Sequence, residues 1–353
     1  MTDLRKANQI PFTDQDSVLF LYRGEADAVS WIGDFNGWGY DKKFHNQGKK
    51  INQTDLWFLK ASFPKDARLD YKILVNGSNY LLDPSNTAQQ WSGLGGGSPN
   101  SELRMPLWKE DVDVETHIGT PAGTLTPDIL FTSKILGYQI TYRVYLPPGT
   151  TSEKLDCIYV TDGYEYLHPK LGNMEVILNN LIAEKKIKPV MAVFVDHREP
   201  TNRGNNKRMQ ELAMNESYLN FFLKELIPAI EAAYPAKPEA SGRAILGTSM
   251  GGLTATYFIF KHPDVFGMAG IQSPAFHTKP QIYQLCADPP RTKIKISMTT
   301  GVINDTEKEA RKMKDILAAI GCEYHYREVN EGHSWGNWRN LISRILTDFF
   351  AGK

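Results

Sequence analysis

Over the first hundred residues, hydrophobic positions come in short runs broken by turn residues, which predicts strands rather than helices. Ser17–Arg23, Ala28–Gly33, Leu56–Phe63 and Leu69–Val75 are such runs. Asp34-Phe-Asn-Gly-Trp38 closes the second with a turn, and Asn76-Gly77 joins the fourth to Tyr80–Leu82 as a tight hairpin. Strands this short, linked by such turns, build a small immunoglobulin-like β-sandwich. Ser92–Pro99 is linker-like in composition, yet Leu103–Pro106 resumes a strand pattern, so the boundary falls around 106–120. The expected organisation is an N-terminal segment (1–15), a β-sandwich (16–106) and a second domain (120–353).

Beyond residue 120 the pattern changes. Ile129–Leu136 and Tyr138–Tyr145 read as strands, and then strand and helix signals alternate. Cys157–Thr161, Val190–Val195, Arg243–Gly247, Ile294–Met298 and Tyr324–Val329 are the strands; the run at 190–195 is uniformly apolar, as a strand covered on both faces is. Met174–Glu184, Tyr218–Tyr234, Gly252–Lys261, Glu307–Ile320 and Trp338–Phe350 read as helices, with Gly321 ending the fourth. Such alternation predicts an α/β fold, a doubly wound, mostly parallel sheet with helices on both faces.

Composition narrows the function. In 353 residues, 40 Lys and Arg balance 40 Asp and Glu, so nothing favours a nucleic-acid partner. Three cysteines, Cys157, Cys286 and Cys322, are too few and scattered for a disulfide framework or a zinc site, and no cofactor motif occurs. No apolar run is long enough for a membrane span or signal core, so a cytoplasmic location is expected. The expected partner is a small-molecule or oligosaccharide ester.

The ester chemistry is expected from Gly247-Thr-Ser249-Met-Gly251, the sharpest chemical signal in the chain. G-x-S-x-G carries meaning when an apolar strand enters it and a helix leaves it, and both occur here. The turn presents the serine at the carboxyl end of the sheet, and small flanking residues let the chain fold that tightly. A serine hydroxyl needs a base, and the base needs an orienting acid; in this fold class they follow in the order serine, acid, histidine. Four histidines follow Ser249. His262 sits at a helix end, His325 inside a strand and His277 before the later strands, whereas His333 lies in a loop after the strand ending at Val329. His333 is the expected base. The acid is expected after the strand 294–298, with Asp305 preferred over Asn304 and Glu307, although Asp305 or Thr306 also suits a helix cap. The oxyanion donors would be the N–H of Met250 and that of Gly163 or Tyr164. Trp335 is expected to line a leaving-group pocket and Trp338 to anchor the last helix.

With these residues in place, the stretch 120–353 resembles the esterase D and enterochelin esterase-like family of α/β-hydrolases. The likeness is carried by Tyr142–Pro148, Asp162-Gly163, Arg208–Leu212, Phe222–Pro228, Gly247–Gly252, His262–Phe266, Gln272-Ser273, Asp305–Glu307 and Glu331–Trp335. It implies a Ser249, Asp305, His333 triad and metal-free carboxylic-ester hydrolysis. One branch of that family opens trilactone siderophores; another removes acetyl or feruloyl groups from polysaccharides. Basic residues hold the anionic ligand in the first branch, which directs attention to Arg203 and Arg208 in a basic loop, with Glu211 beside them as a further substrate contact or brace. The stretch 16–106 is similar to glycogen-binding modules, through Gly33–Trp38, Tyr71-Lys72 and Asn76-Gly77. That likeness places Trp38, Lys72 and Asn100 at sugar-binding positions, with Tyr80 standing where a tryptophan is usual. The expected function is a serine esterase acting on a siderophore or similar small ester; a carbohydrate esterase and a non-catalytic polysaccharide-binding protein are the alternatives. The sequence leaves the oligomeric state open.

Overall fold

A computed structural model describes residues 10–93 and 99–352. The chain forms two compact units. The first runs to Glu110 and also takes in Gly301–Asp305 and Glu328–Asn337; the second comprises Asp111–Thr300, Thr306–Arg327 and the chain from Trp338 onward. The division is therefore not a single cut between 106 and 120: two short segments near the C-terminus group with the sandwich.

The first unit is built on two antiparallel sheets. One orders its strands Phe12–Asp14, Ser17–Arg23, Leu56–Ser62, Lys49–Lys50; the other orders Val29–Gly33, Arg68–Val75, Pro99–Arg104, Gln89–Trp91, with Asn79–Leu81 also on Arg68–Val75. The first strand begins at Phe12, so the sandwich starts before residue 16. Asn76 and Gly77 both have positive φ, as the Asn-Gly hairpin requires. The linker-like stretch 92–99 connects two paired strands of this unit, and its residues 94–98 lie outside the described residues. Phe20, fully buried, packs its ring against Trp31, Phe35 and Tyr71 at 5.2–5.9 Å between centroids.

The second unit carries a nine-stranded sheet in the order Thr124–Leu125, Gln139–Leu146, Val190–Asp196, Asp156–Val160, Arg243–Thr248, Met268–Gln272, Lys295–Gly301, Glu323–Val329, with Ile129–Thr132 also on Gln139–Leu146. The five strands from Val190–Asp196 to Lys295–Gly301 are parallel. The pattern along the chain does not reveal Met268–Gln272. Ala269 and Gly270 have low strand propensity, and only burial on both faces makes the segment a strand. The predicted helix 218–234 runs from Glu216 to Ala233 but widens into a π turn at Phe222–Leu226. Pro228 accounts for this, since it donates no N–H and its ring crowds the carbonyl four residues back. Among the described residues no helix is long and apolar enough to cross a membrane.

Truncating Phe20 to alanine should cost about 3–5 kcal/mol, the usual range for a buried phenylalanine. Denaturant unfolding followed by tryptophan fluorescence checks this, because Trp31 touches the same ring.

Candidate active site

Arg243–Thr248 has parallel neighbours on both sides, and the helix Met250–Lys261 starts two residues after it. Ser249, between the two, is held at φ 56° and ψ −113°, a conformation that costs a non-glycine residue about 1–3 kcal/mol. Neighbouring backbone fixes it: its N–H donates to the Gln272 carbonyl at 2.8 Å, and its own carbonyl accepts from Ala275 N at 3.0 Å. Glycine is required on both sides. A Cβ on Gly247 would lie 2.4 Å from the Gly251 carbonyl carbon, and one on Gly251 would lie 2.4 Å from Thr161 Oγ1. Met250 opens the helix, where main-chain N–H groups have no partner within the helix.

The short helix Gly163–Leu167 follows the adjacent strand Asp156–Val160. A Cβ on Gly163 would stand 2.5 Å from the Phe194 carbonyl carbon. Asp162, just before it, takes two hydrogen bonds from Arg208, Nε to Oδ1 at 2.6 Å and Nη2 to Oδ2 at 2.9 Å. Arg208 Nη2 also donates to the Thr248 carbonyl at 3.1 Å. Arg208 thus joins the backbone just before Ser249 to the carboxylate of the residue just before Gly163. It is mostly buried, and these bonds are made within the protein.

Glu211 is fully buried, accepts from Tyr138 Oη at 2.6 Å and pairs with His197 Nδ1. It braces the loop through His197, whose Nε2 accepts from Asp162 N at 3.2 Å, and it neither faces solvent nor pairs with Arg208. Arg203 is partly exposed. It donates to Thr141 Oγ1, Asp196 and Asp128 at 2.6–2.9 Å. Tyr164 is exposed, with the Arg198 guanidinium 3.4 Å from its ring centroid. Together with Gly163, Arg143 and Leu167 they line a cavity of about 340 Å³.

The acid and base lie in the first unit. His333 Nδ1 stands 2.6 Å from Asp305 Oδ1. Asp305 Oδ2 accepts from Gly301 N at 2.6 Å and from Asn337 Nδ2 at 3.3 Å. The Asp305 side chain is fully buried and that of His333 about one-third exposed, at 0% and 35%. Of the three residues considered from sequence, Asp305 is bonded to His333. The alternative of a helix cap falls to Thr306, which occupies the N-cap position before Glu307. A carboxylate on Nδ1 fixes the ring tautomer and presents Nε2 as the proton acceptor. Trp335 is almost fully buried, which argues for packing over an open pocket wall, and Trp338 Nε1 donates to Ser273 Oγ at 2.9 Å.

The sequence model of the Esterase family matches residues 133–349. The chain belongs to the Esterase family. It is a carboxylic-ester hydrolase with an α/β-hydrolase fold preceded by a β-sandwich. The iron(III) salmochelin esterase of Escherichia coli O6:H1 is 22% identical over 93% of this chain and 86% of its own. The endo-1,4-beta-xylanase/feruloyl esterase of Xylanibacter ruminicola is 27% identical over 63% of this chain and 31% of its own length. The crystal structure of ferric enterobactin esterase from Salmonella typhimurium superposes with a TM-score of 0.76 at 17% identity, covering 96% of this chain and 95% of that one.

Around the candidate acid and base lie further residues that no sequence motif singles out. Arg68 has no exposed surface; it bonds Glu102 and Asp70, each at 2.5 Å, and donates to Ser334 Oγ at 3.0 Å. Asp34 Oδ2 accepts from Asp70 N at 2.8 Å and its Oδ1 from Trp38 Nε1 at 3.2 Å. Asn100, expected to reach a sugar, is buried and donates to Asp70 Oδ2 at 3.1 Å. Lys72 is half-buried, Trp38 is 36% exposed, and Tyr80 lies open on the surface. A signal for this cluster does exist in the sequence: Arg68, Asp70, Glu102 and Arg104 stand at alternate positions of two strands, so charges share one face where apolar side chains are usual.

Among the described residues, Asp113, His117 and Glu184 are spaced as metal ligands, but the Lys186 ammonium already lies 3.0 Å from Asp113 and 2.8 Å from Glu184. No step of ester hydrolysis is assigned to them.

Burial, reinforced by the neighbouring Asp70, pushes the Asp34 carboxyl up from 3.8 to about 8. Burial likewise pushes Glu331 up to about 7, against the pull of Arg68. Both carboxyls hold a proton in the folded esterase that the unfolded chain releases near pH 4. The folded state therefore binds more protons between about pH 4 and 8, and the contribution of these groups to stability falls as pH rises through that window. Denaturant midpoints across pH 4.5–8.5 should decline on this account, and Asp34→Asn with Glu331→Gln should flatten the decline.

Proposed function

We propose that the esterase works through an acyl-enzyme on Ser249, with His333 as base and Asp305 orienting it, and that its substrate is an anionic catecholate siderophore ester. His333 takes the Ser249 proton as Oγ attacks the ester carbonyl, then returns it to the leaving alkoxide. Water, deprotonated by the same ring, releases the acid. The N–H groups of Met250 and of Gly163 or Tyr164 are the proposed donors to the developing oxyanion. The observation that carries the chemistry is the strained backbone of Ser249, at φ 56° between a central strand and a helix, on a chain whose His333 is already bonded to a buried carboxylate.

Two observations support the substrate class. The salmochelin esterase aligns over 93% of this chain, sandwich included, while the feruloyl esterase aligns over 63%. The cavity beside Gly163 is lined by Arg143, Arg198 and Arg203, against Asp128 and Asp196, which gives it a net positive wall. Under this reading Arg203 contacts the ligand, Arg208 and Glu211 shape the loop behind it, and the reaction takes place in the cytoplasm. A carbohydrate ester remains the second reading, favoured by the feruloyl esterase relative.

Ser249→Ala should lower kcat/KM on p-nitrophenyl butyrate by about a million-fold, the scale of losing a serine nucleophile. Wild type should cleave a ferric catecholate trilactone in preference to a feruloylated xylo-oligosaccharide, as read by mass spectrometry of the products. Arg203→Gln should raise KM about tenfold for the trilactone and leave it unchanged for the neutral ester, the behaviour of a charge-assisted contact. Preference for the sugar ester would replace the siderophore reading with the second one.

A further inference from the structure

Within the first unit, sandwich residues tie to the segments 301–305 and 328–337 at positions within three residues of Asp305 or His333. Asp34 carries two of them. Its carbonyl accepts from Asn304 Nδ2 at 2.9 Å, one residue before Asp305. Its carboxyl lies so close to Gly332, one residue before His333, that a Cβ there would meet Asp34 Cγ at 2.3 Å.

Arg68 carries more. Its N–H donates to the Asn330 carbonyl at 3.2 Å and its guanidinium to Ser334 Oγ at 3.0 Å, so it grips the loop on both sides of His333. The same guanidinium lies flat against Gly336, where a Cβ would come within 1.9 Å of Cζ. Asp66 Oδ1 accepts from Asn330 Nδ2 at 2.8 Å, and Trp108 Nε1 donates to Glu331 Oε1 at 3.1 Å. Arg68 is itself fixed by Glu102 and Asp70, and Asp70 N donates to Asp34. One connected network thus runs from two sandwich strands to both catalytic loops.

We propose that the sandwich is the positioning element of the acid–base pair, with Arg68 and Asp34 as its positioning residues. The proposal rests on the role assigned above to His333. Its chemistry is geometric. An imidazole that moves by about 1 Å relative to its nucleophile loses proton-transfer efficiency without losing substrate affinity. It also explains the Gly33–Trp38 motif without sugar, since Asp34, Phe35 and Asn36 are all buried.

The test uses full-length variants: Arg68→Lys, which keeps the charge but loses the planar fork; Gly332→Ala, which drives a methyl into Asp34; and Asn304→Ala, which removes one hydrogen bond from an exposed side chain. Each is titrated with a fluorophosphonate to count reactive Ser249 per chain, then assayed on p-nitrophenyl butyrate. The expected result is stoichiometric labelling at a slower rate, kcat per labelled site lowered about 10- to 100-fold for Arg68→Lys and Gly332→Ala and about threefold for Asn304→Ala, and KM within a factor of two. In a His333→Ala background the same three substitutions should cost no further loss. Unchanged kcat per labelled site overturns the proposal, whether labelling is full or reduced, because a purely structural role lowers only the fraction of active protein. Retained turnover in Ser249→Ala would sink the serine mechanism instead, and the two failures are read separately.

Discussion

Arg68 is a full positive charge with no exposed surface, and the first unit is organised around keeping it satisfied. Its planar fork meets Glu102, Asp70 and Ser334 at once, a geometry that lysine cannot match. Removing one partner of such a buried cluster strands the others and typically costs about 3–5 kcal/mol. The cluster holds more carboxyl groups than cations. Burial eases that imbalance by keeping Asp34 largely protonated and Glu331 partly protonated near neutral pH. What the cluster secures is the stretch from Asn330 to Gly336, in the middle of which stands His333.

The second unit meets a different constraint. Its parallel sheet ends the strand Arg243–Thr248 in a turn that only small neighbours permit, and the strain at Ser249 is sustained by hydrogen bonds to Gln272 and Ala275. Arg208 adds a tie between this turn and the one that precedes Gly163. The turn at Ser249 and the His333 loop, the proposed nucleophile and base, are thus each held by a buried arginine with a paired carboxylate, Arg208 with Asp162 and Arg68 with Asp70 and Glu102.

Much of this was legible in the residues. The alternation of strand and helix signals yields the parallel sheet, and the G-x-S-x-G turn together with the order of later loops points to Ser249 and His333, with Asp305 preferred over Asn304 and Glu307 as the acid. Met268–Gln272 escaped because alanine and glycine become a strand there through burial alone. Residue type offers Trp335 and Asn100 for ligand contacts and Glu211 for a contact or a brace, but a motif does not show burial, and all three are buried. Arg68 escaped for the opposite reason. A charged residue within a strand reads as solvent-facing until its partner strand, with Glu102 and Arg104 in register, is known.

On the positioning proposed here, a sandwich arginine keeps His333 on Asp305. Low-field proton NMR of the full-length esterase tests it most directly. The hydrogen-bonded Nδ1 proton, assigned by its loss in His333→Ala, should appear in wild type as a slowly exchanging downfield resonance. In Arg68→Lys it should move upfield and exchange faster while the rest of the spectrum stays that of a folded protein. An identical resonance with identical exchange in Arg68→Lys would contradict the account.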